Sequence, residues 1–209
     1  MRRVLFFLKR RAGLDRAEFF RWWLEQHRPI ARELPGLRRY VICHVAEAAD
    51  DGPFDGLAEL SFDNAAAEQV AFASAQGQKA RADRAAHAER NERLAVTTYP
   101  FVDHGRQPRF KLVSALKRRA DLDRPAFKRW WLERHAPLVV EFPELSRYQV
   151  SLVEQGEETF ADGVAEVSFD TMEALRRVTS SPQVKDAQGD SNVHTAARYR
   201  LLVEEHVVI

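Results

Sequence analysis

Two histidines have the chemistry to move protons near neutral pH, and each sits in almost the same string of residues. His27 lies in Arg21-Trp22-Trp23-Leu24-Glu25-Gln26-His27-Arg28-Pro29, and His135 in Arg129-Trp130-Trp131-Leu132-Glu133-Arg134-His135-Ala136-Pro137. The second string lies 108 residues after the first, counted from Trp22 to Trp130 or from His27 to His135. Desolvation keeps an imidazole among apolar neighbours neutral, which suits a general acid or base. The plainer alternative is a buried histidine bonding a carbonyl that the downstream proline has freed. Tyr40 and Tyr148 follow at matching places, where a phenol could bond a substrate oxygen or stabilise an oxyanion. Their plainer role is core packing. His44 shares the face of Tyr40 on an extended chain. The second copy has Leu152 there, so the first copy is expected to hold His27, Tyr40 and His44 together.

These side chains need helices and strands to hold them. Asp15, with Glu18 three residues on, forms a capping box that starts a helix. Asp123 and Pro125 start its counterpart. Phe19, Trp23, His27, Ile30 and Leu34 then fall on one helical stripe, as do Phe127, Trp131, His135, Leu138 and Phe142. The stripe predicts a pocket wall of Phe19, Trp23, Ile30, Phe127, Trp131 and Leu138 around the histidines. Pro29 and Pro137 should loosen the helix beside them. Trp22 and Trp130, off the stripe, are expected to cover a seam, and Asp83 and Asp190, near the second helices, could be helix caps or pocket acids, with caps the favoured role. Lys9 and Lys117 are expected in solvent.

Each copy continues in the same order. The first strand is Val4–Lys9 or Lys111–Lys117, and the long helix follows it. A second strand is Leu37–Glu47 or Leu145–Glu154, then a polar turn at Ala48–Pro53 or Gln155–Glu158. A third strand carries Asp55-Gly56-Leu57-Ala58-Glu59-Leu60-Ser61-Phe62-Asp63, matched by Asp162-Gly163-Val164-Ala165-Glu166-Val167-Ser168-Phe169-Asp170. Second helices are expected at Ala65–Ser74 and Met172–Ser181, the first running on through Ala80–Glu92. Last strands are expected at Thr97–Asp103 and Tyr199–Val208. The order β-α-β-β-α-β is the ferredoxin-like unit. Residues 1–104 and 109–209 form the two repeats, with 105–108 as linker. The first strand is apolar on both faces, so the two antiparallel sheets are expected to pack into a pseudo-dimeric α+β barrel within one chain.

Composition narrows the function. A net charge of +1 over 209 residues selects no nucleic acid. One cysteine, Cys43, excludes an intrachain disulfide and a cysteine-rich metal site. No run approaches a membrane span, and the short apolar start has no cleavage site behind it, so a reducing cytoplasm is the expected setting. No histidine pair has metal-ligand spacing, and no phosphate loop or nucleophile elbow is present, so neither metal nor cofactor is expected.

The run Lys-Arg-Arg-x-x-Leu-Asp-Arg-x-x-Phe, Trp-Trp-x-x-x-His-x-Pro, Leu-Pro-Gly-Leu-Arg-Arg-Tyr and Asp-Gly-x-Ala-Glu-x-Ser-Phe-Asp resembles the EthD domain. That family is named for ethyl tert-butyl ether degradation and belongs to the dimeric α+β barrel superfamily. The resemblance covers both copies. It departs at Pro143-Glu144-Leu145-Ser146, which lacks the family's glycine, and at Ser151-Leu152, where the first copy has Cys43-His44. It implies a small, mostly apolar, aromatic or polyketide-like ligand. The expected activity is a cofactor-independent lyase, dehydratase, isomerase or cyclase using histidine acid/base chemistry. The alternatives are a non-catalytic ligand-binding or stress-response barrel and a haem-binding, oxidative member. The assembly expected is a monomer with an internal pseudo-twofold, able to form a homodimer.

Overall fold

The computed structural model describes residues 1–47, 52–154 and 158–209. The expected polar turns therefore lie partly outside the described residues, at 48–51 and 155–157. Two compact units divide the chain. The first comprises Met1–Val96 with Glu205–Ile209, and the second Thr97–Glu204.

In the first unit β1 (Arg2–Arg10) lies between β3 (Gly56–Phe62) and β4 (Ala88–Asp103), and β3 pairs in turn with β2 (Leu37–Glu47), all antiparallel. Beyond β2 the end of the chain adds a further strand segment. The Val208 N–H donates to the Tyr40 carbonyl at 2.9 Å, and the Tyr40 N–H to that of Ile209 at 3.2 Å. The second unit repeats the order. There β5 (Phe110–Arg118) lies between β7 (Gly163–Phe169) and β8 (Thr195–Val207), and β7 pairs with β6 (Arg147–Val153). Strands β4 and β8 each begin in one unit and end in the other. The fold class is the expected one: α+β, two ferredoxin-like repeats, with the strand order of an antiparallel α+β barrel.

Each long helix opens as its sequence dictates. The Asp15 carboxylate accepts from the Glu18 N–H at 2.7 Å, and Glu18 answers at the Asp15 N–H, which starts α1 (Arg16–Trp22). Asp123 caps α5 (Arg124–Trp130) by accepting from the Ala126 N–H at 2.7 Å, with alanine in the place of the answering glutamate. The proline effect is different from a kink. One π-helical turn, Trp23–His27, joins α1 to α2 (Arg28–Arg32), and a second, Trp131–His135, joins α5 to α6 (Ala136–Val140). Within the turn the Arg28 N–H donates to the Trp23 carbonyl, five residues back. Pro29 follows at the start of the next segment, where its missing N–H leaves nothing unmade.

The later elements depart from expectation. The first repeat has two helices, α3 (Ala65–Ala73) and α4 (Ala75–His87), broken at Ser74, whose side chain caps α4. Residues Ala88–Glu92, expected in a helix, extend β4 instead, because their alternating side chains pair along β1. The second repeat has α7 (Met172–Thr179) and the unforeseen α8 (Pro182–His194), capped by Ser181. Both faces of β1 are buried, as its composition requires: Leu5 and Phe7 as fully as Val4 and Leu8. The glycine missing from the second repeat matters locally. Gly36 has φ 71°, and Glu144 at the matching turn is held at φ 58°, its carboxylate gripped by Arg177 at 2.7 and 3.0 Å.

Candidate active site

A cavity of about 330 Å3 opens in the first unit. The long helix supplies Trp23, His27, Ala31 and Leu34, and β2 supplies Tyr40. Gly77, Ala80, Arg81 and Arg84 come from one stripe of α4, with Asn91 and Arg93 from alternate positions of β4. Phe6, Leu8, Ala58, Leu60 and Phe72 complete an apolar wall.

His27 does not bond a freed carbonyl. Its Nδ1 meets the Asp83 carboxylate at 2.7 Å, and the Trp22 indole N–H donates to the same carboxylate at 3.3 Å. The carbonyl near the proline, that of Ile30, accepts from Gln76 at 2.6 Å. On a regular α-helix two residues five apart would point roughly 140° away from each other. The wider π turn brings Trp22 and His27 onto one face, with ring centroids 5.1 Å apart, so a single carboxylate reaches both. Trp22 is thus no seam cover: it is 3% exposed and lies between His27 and the stacked ring of His87, 4.3 Å away. Asp83 is no cap either, since it sits inside α4 and binds across to the long helix.

Burial lowers the pKa of His27, and the Asp83 carboxylate only partly opposes it. The imidazole is therefore neutral at pH 7. Burial works to raise Asp83, but the bonds from His27 and Trp22 outweigh it and hold the carboxyl below its ordinary value. An ionised Asp83 accepts the Nδ1 proton and leaves the Nε2 lone pair for chemistry. Burial also pushes the Tyr40 phenol up, partly opposed by the Trp23 indole and the charge of Arg84, so Tyr40 stays protonated. The Trp23 indole nitrogen and the Tyr40 hydroxyl are both buried with no hydrogen-bond partner among the described residues. Neither reaches bonding geometry with the other. The matching atoms of the second unit, Trp131 Nε1 and the Tyr148 hydroxyl, are likewise buried without a partner among the described residues, so the pair belongs to both repeats.

The remaining sequence candidates lie elsewhere. His44 stacks on Phe20 at 4.1 Å, with Trp23 and His206 beside it, and is outside the cavity. It shares a face with Tyr40, but four residues of strand separate them by roughly 13 Å, and Trp23 fills the interval. Burial, then the nearby His206, lowers His44 to about 3. Phe19 is a core residue against Trp22 and Trp23, and Ile30 is half-buried and off the cavity. Lys9 bonds the Gly52 carbonyl at 2.8 Å and Lys117 that of Thr159 at 2.7 Å, so neither stands free in solvent.

In the second unit His135 Nδ1 meets Asp190 at 2.8 Å, and the Trp130 indole donates to Asp190 at 3.0 Å. Burial lowers His135 despite Asp190. Tyr148 stacks on Phe101, and Phe127 and Trp131 are buried in the core, while Leu138 is 38% exposed. Among the positions that differ from the first unit, Gly77 is matched by Val184, Arg84 by the buried Ser191, Arg81 by Gln188 and Asn91 by Arg198.

One group of metal-ligating types occurs among the described residues: Cys43, Glu59 and Glu205, with ligand atoms within 4.8 Å of one another. Its members are already engaged. The Cys43 thiol donates to Glu59, and Arg3 pairs with Glu59 at 2.6 Å. No described helix is long and apolar enough to cross a membrane.

The family model of the EthD domain matches residues 11–91 and again 119–195. The chain belongs to the EthD family. Among solved structures, this EthD chain is similar to an anthrone oxidase-like protein, with a TM-score of 0.75 at 10% identity, covering 99% of this chain and 92% of that one. It is similar also to chlorite dismutase from Candidatus Nitrospira defluvii in complex with imidazole, with a TM-score of 0.57 at 10% identity, covering 98% and 90%. At such identities the likeness is one of fold. Among curated proteins no sequence matches. Sequence reasoning found His27 and Tyr40 and weighed Asp83 as a pocket acid beside the favoured cap, but it did not pair Asp83 with His27 and Trp22 and did not single out Arg84. Asp83 lies 56 residues from His27, and its helix reads as an ordinary charged one. The available signal was the repeat itself: Trp22, His27, Asp83 and His87 recur as Trp130, His135, Asp190 and His194.

Proposed function

We propose that this EthD protein is an enzyme that moves a proton on a small, mostly apolar oxygenated molecule held in the first-unit cavity. The observation that carries the proposal is His27, bound through Nδ1 to Asp83 and lining a cavity beside two unpartnered donors. His27 Nε2 takes a proton from carbon next to a carbonyl. The C–H electron pair becomes a C=C bond to the carbonyl carbon while the C=O π pair moves onto oxygen, and the resulting enolate oxyanion is received by the Trp23 N–H and the Tyr40 O–H. Returning the proton at another carbon makes an isomerase, and losing hydroxide from the adjacent carbon makes a dehydratase. Either reaction runs on side chains of one unit, without a cofactor. The lone thiol of Cys43 suits a reducing cytoplasm, and one chain carries both repeats. The fold likeness to an anthrone oxidase-like protein supports a catalytic reading of the cavity over simple ligand storage.

Hydrogen–deuterium exchange tests this. Enolisable aromatic ketones and 1,3-diketones are incubated in D2O and followed by NMR. The wild-type protein should speed exchange at carbon next to the carbonyl. His27→Ala, shown folded by circular dichroism, should lose about 10²–10⁴-fold of it. Exchange that survives His27→Ala unchanged would return the imidazole to a structural role.

A further inference from the structure

The cavity carries an electrostatic feature that proton transfer alone does not use. Its described lining contains Arg81, Arg84 and Arg93 and no carboxylate. Arg93 is accounted for by Glu68, which also holds Arg2 at 2.6 Å. Asp83 is accounted for by His27 and Trp22. The Arg84 side chain has no hydrogen bond or ion pair with any described residue. Its guanidinium carbon stands 4.7 Å from the centroid of Phe6, held by a cation–π contact. Burial brings its pKa down to about 10, so it remains charged at pH 7. Arg84 is half-buried, and a charge drawn partly out of water without a counter-ion is costly, yet the protein has left this one against an apolar wall.

We infer that the ligand of this cavity is an apolar, ring-bearing carboxylate whose anionic group pairs with Arg84. The inference rests on the first-unit cavity being the ligand site, and it adds the charge class of the ligand to the proton transfer proposed there. The planar guanidinium offers two parallel N–H donors, the geometry that a carboxylate fills with both oxygens and a phenol cannot. Phe6 and Phe72 face the same space and suit a flat ring. The matching position in the second unit is Ser191, which has no charge to offer.

Calorimetric titration separates this inference from the catalytic one. The probes are 2-naphthoate, the neutral 2-naphthamide and 2-naphthol, which is uncharged at pH 7. Wild-type protein should bind 2-naphthoate about tenfold or more tightly than either neutral probe. Arg84→Met should remove that preference, and Arg84→Lys should keep some of it. His27→Ala should keep all of it, so a failed exchange assay and a failed binding assay are distinguishable. The thermal midpoint supplies a second readout. Arg84→Met without ligand should melt no lower than wild type, since an unpaired buried charge has gone, while 2-naphthoate should raise the midpoint of wild type only. Equal binding of all three probes, tighter binding of 2-naphthol, no binding of 2-naphthoate, or a preference that survives Arg84→Met would each overturn the assignment.

Discussion

Asp83 does two things to His27: it selects the tautomer that leaves Nε2 free, and it partly offsets the burial that lowers the imidazole's pKa. Asp83→Asn keeps the shape and removes the charge. The His27 pKa should then fall further, so the acid limb of exchange rate against pH should move to lower pH while the maximum rate drops. A rate loss with an unmoved limb would leave Asp83 a purely structural partner. The same burial bears on stability. His27, His44 and His135 all have folded pKa values below the ordinary 6.5 of histidine, His44 at about 3. The unfolded chain therefore binds more protons between those limits. Stability should be full above pH 6.5 and should fall as the pH drops towards 3. Urea midpoints between pH 7 and pH 4 measure it, and His44→Phe should flatten the curve. The histidines and tyrosines were legible because duplication displayed them twice. Arg84 was not, because a single arginine among many announces nothing until the wall around it is seen to lack acids.

The decisive element is the π turn. Its flanking signals were readable: Asp15, Glu18 and Pro29 mark where the helix begins and where its bonding must relax. The five-residue spacing from Trp22 to His27 was not, because a stripe drawn with regular α periodicity puts Trp23 in line with His27 and leaves Trp22 aside. Trp23 in turn depends on Gly56. A Cβ at Gly56 would meet the Cys43 carbonyl at 2.5 Å and the Trp23 ring at 2.8 Å, and one at Gly163 would meet Trp131 at 2.6 Å. Gly56→Ala should therefore cost about 1–3 kcal/mol in urea unfolding, as crowding of a packed core does. It should also weaken ligand binding, because Trp23 lines the cavity. Gly163→Ala should cost about as much stability and leave binding in the first unit alone. Equal effects on binding would mean that both units hold ligand.

The fold of the chain was the most legible feature, since the order of strands and helices repeats and its apolar pattern permits little else. What escaped was the exchange of strand ends between repeats, because nothing in β4 or β8 marks where one unit stops. The last five residues, Glu205–Ile209, belong with the first ninety-six and bond to Tyr40. Deleting them should lower the melting temperature and bare the edge of β2, with aggregation the visible result. A truncated chain that melts like the full one would contradict the pairing. Function is expected to be unequal between the repeats. Gly77 and Arg84 give the first unit room and a charge at positions that hold Val184 and Ser191 in the second, where Arg198 stands in the place of Asn91 instead. His135→Ala should lower stability and leave exchange largely intact, whereas equal loss from His27→Ala and His135→Ala would show two working sites.

The placement of those last residues also governs how the chain answers a mechanical load. The second unit lies in sequence between two portions of the first, so Met1 and Ile209 both belong to the first unit. Tension applied at Met1 and Ile209 reaches the first unit before any of it passes inward. The bonds of Val208 and Ile209 to Tyr40 are the first to carry tension applied at Ile209. Once they part, the pull draws next on Thr195–Glu204, which pair with β5 in the second unit, so the second repeat would start to open before the strands and helices that line the first-unit cavity.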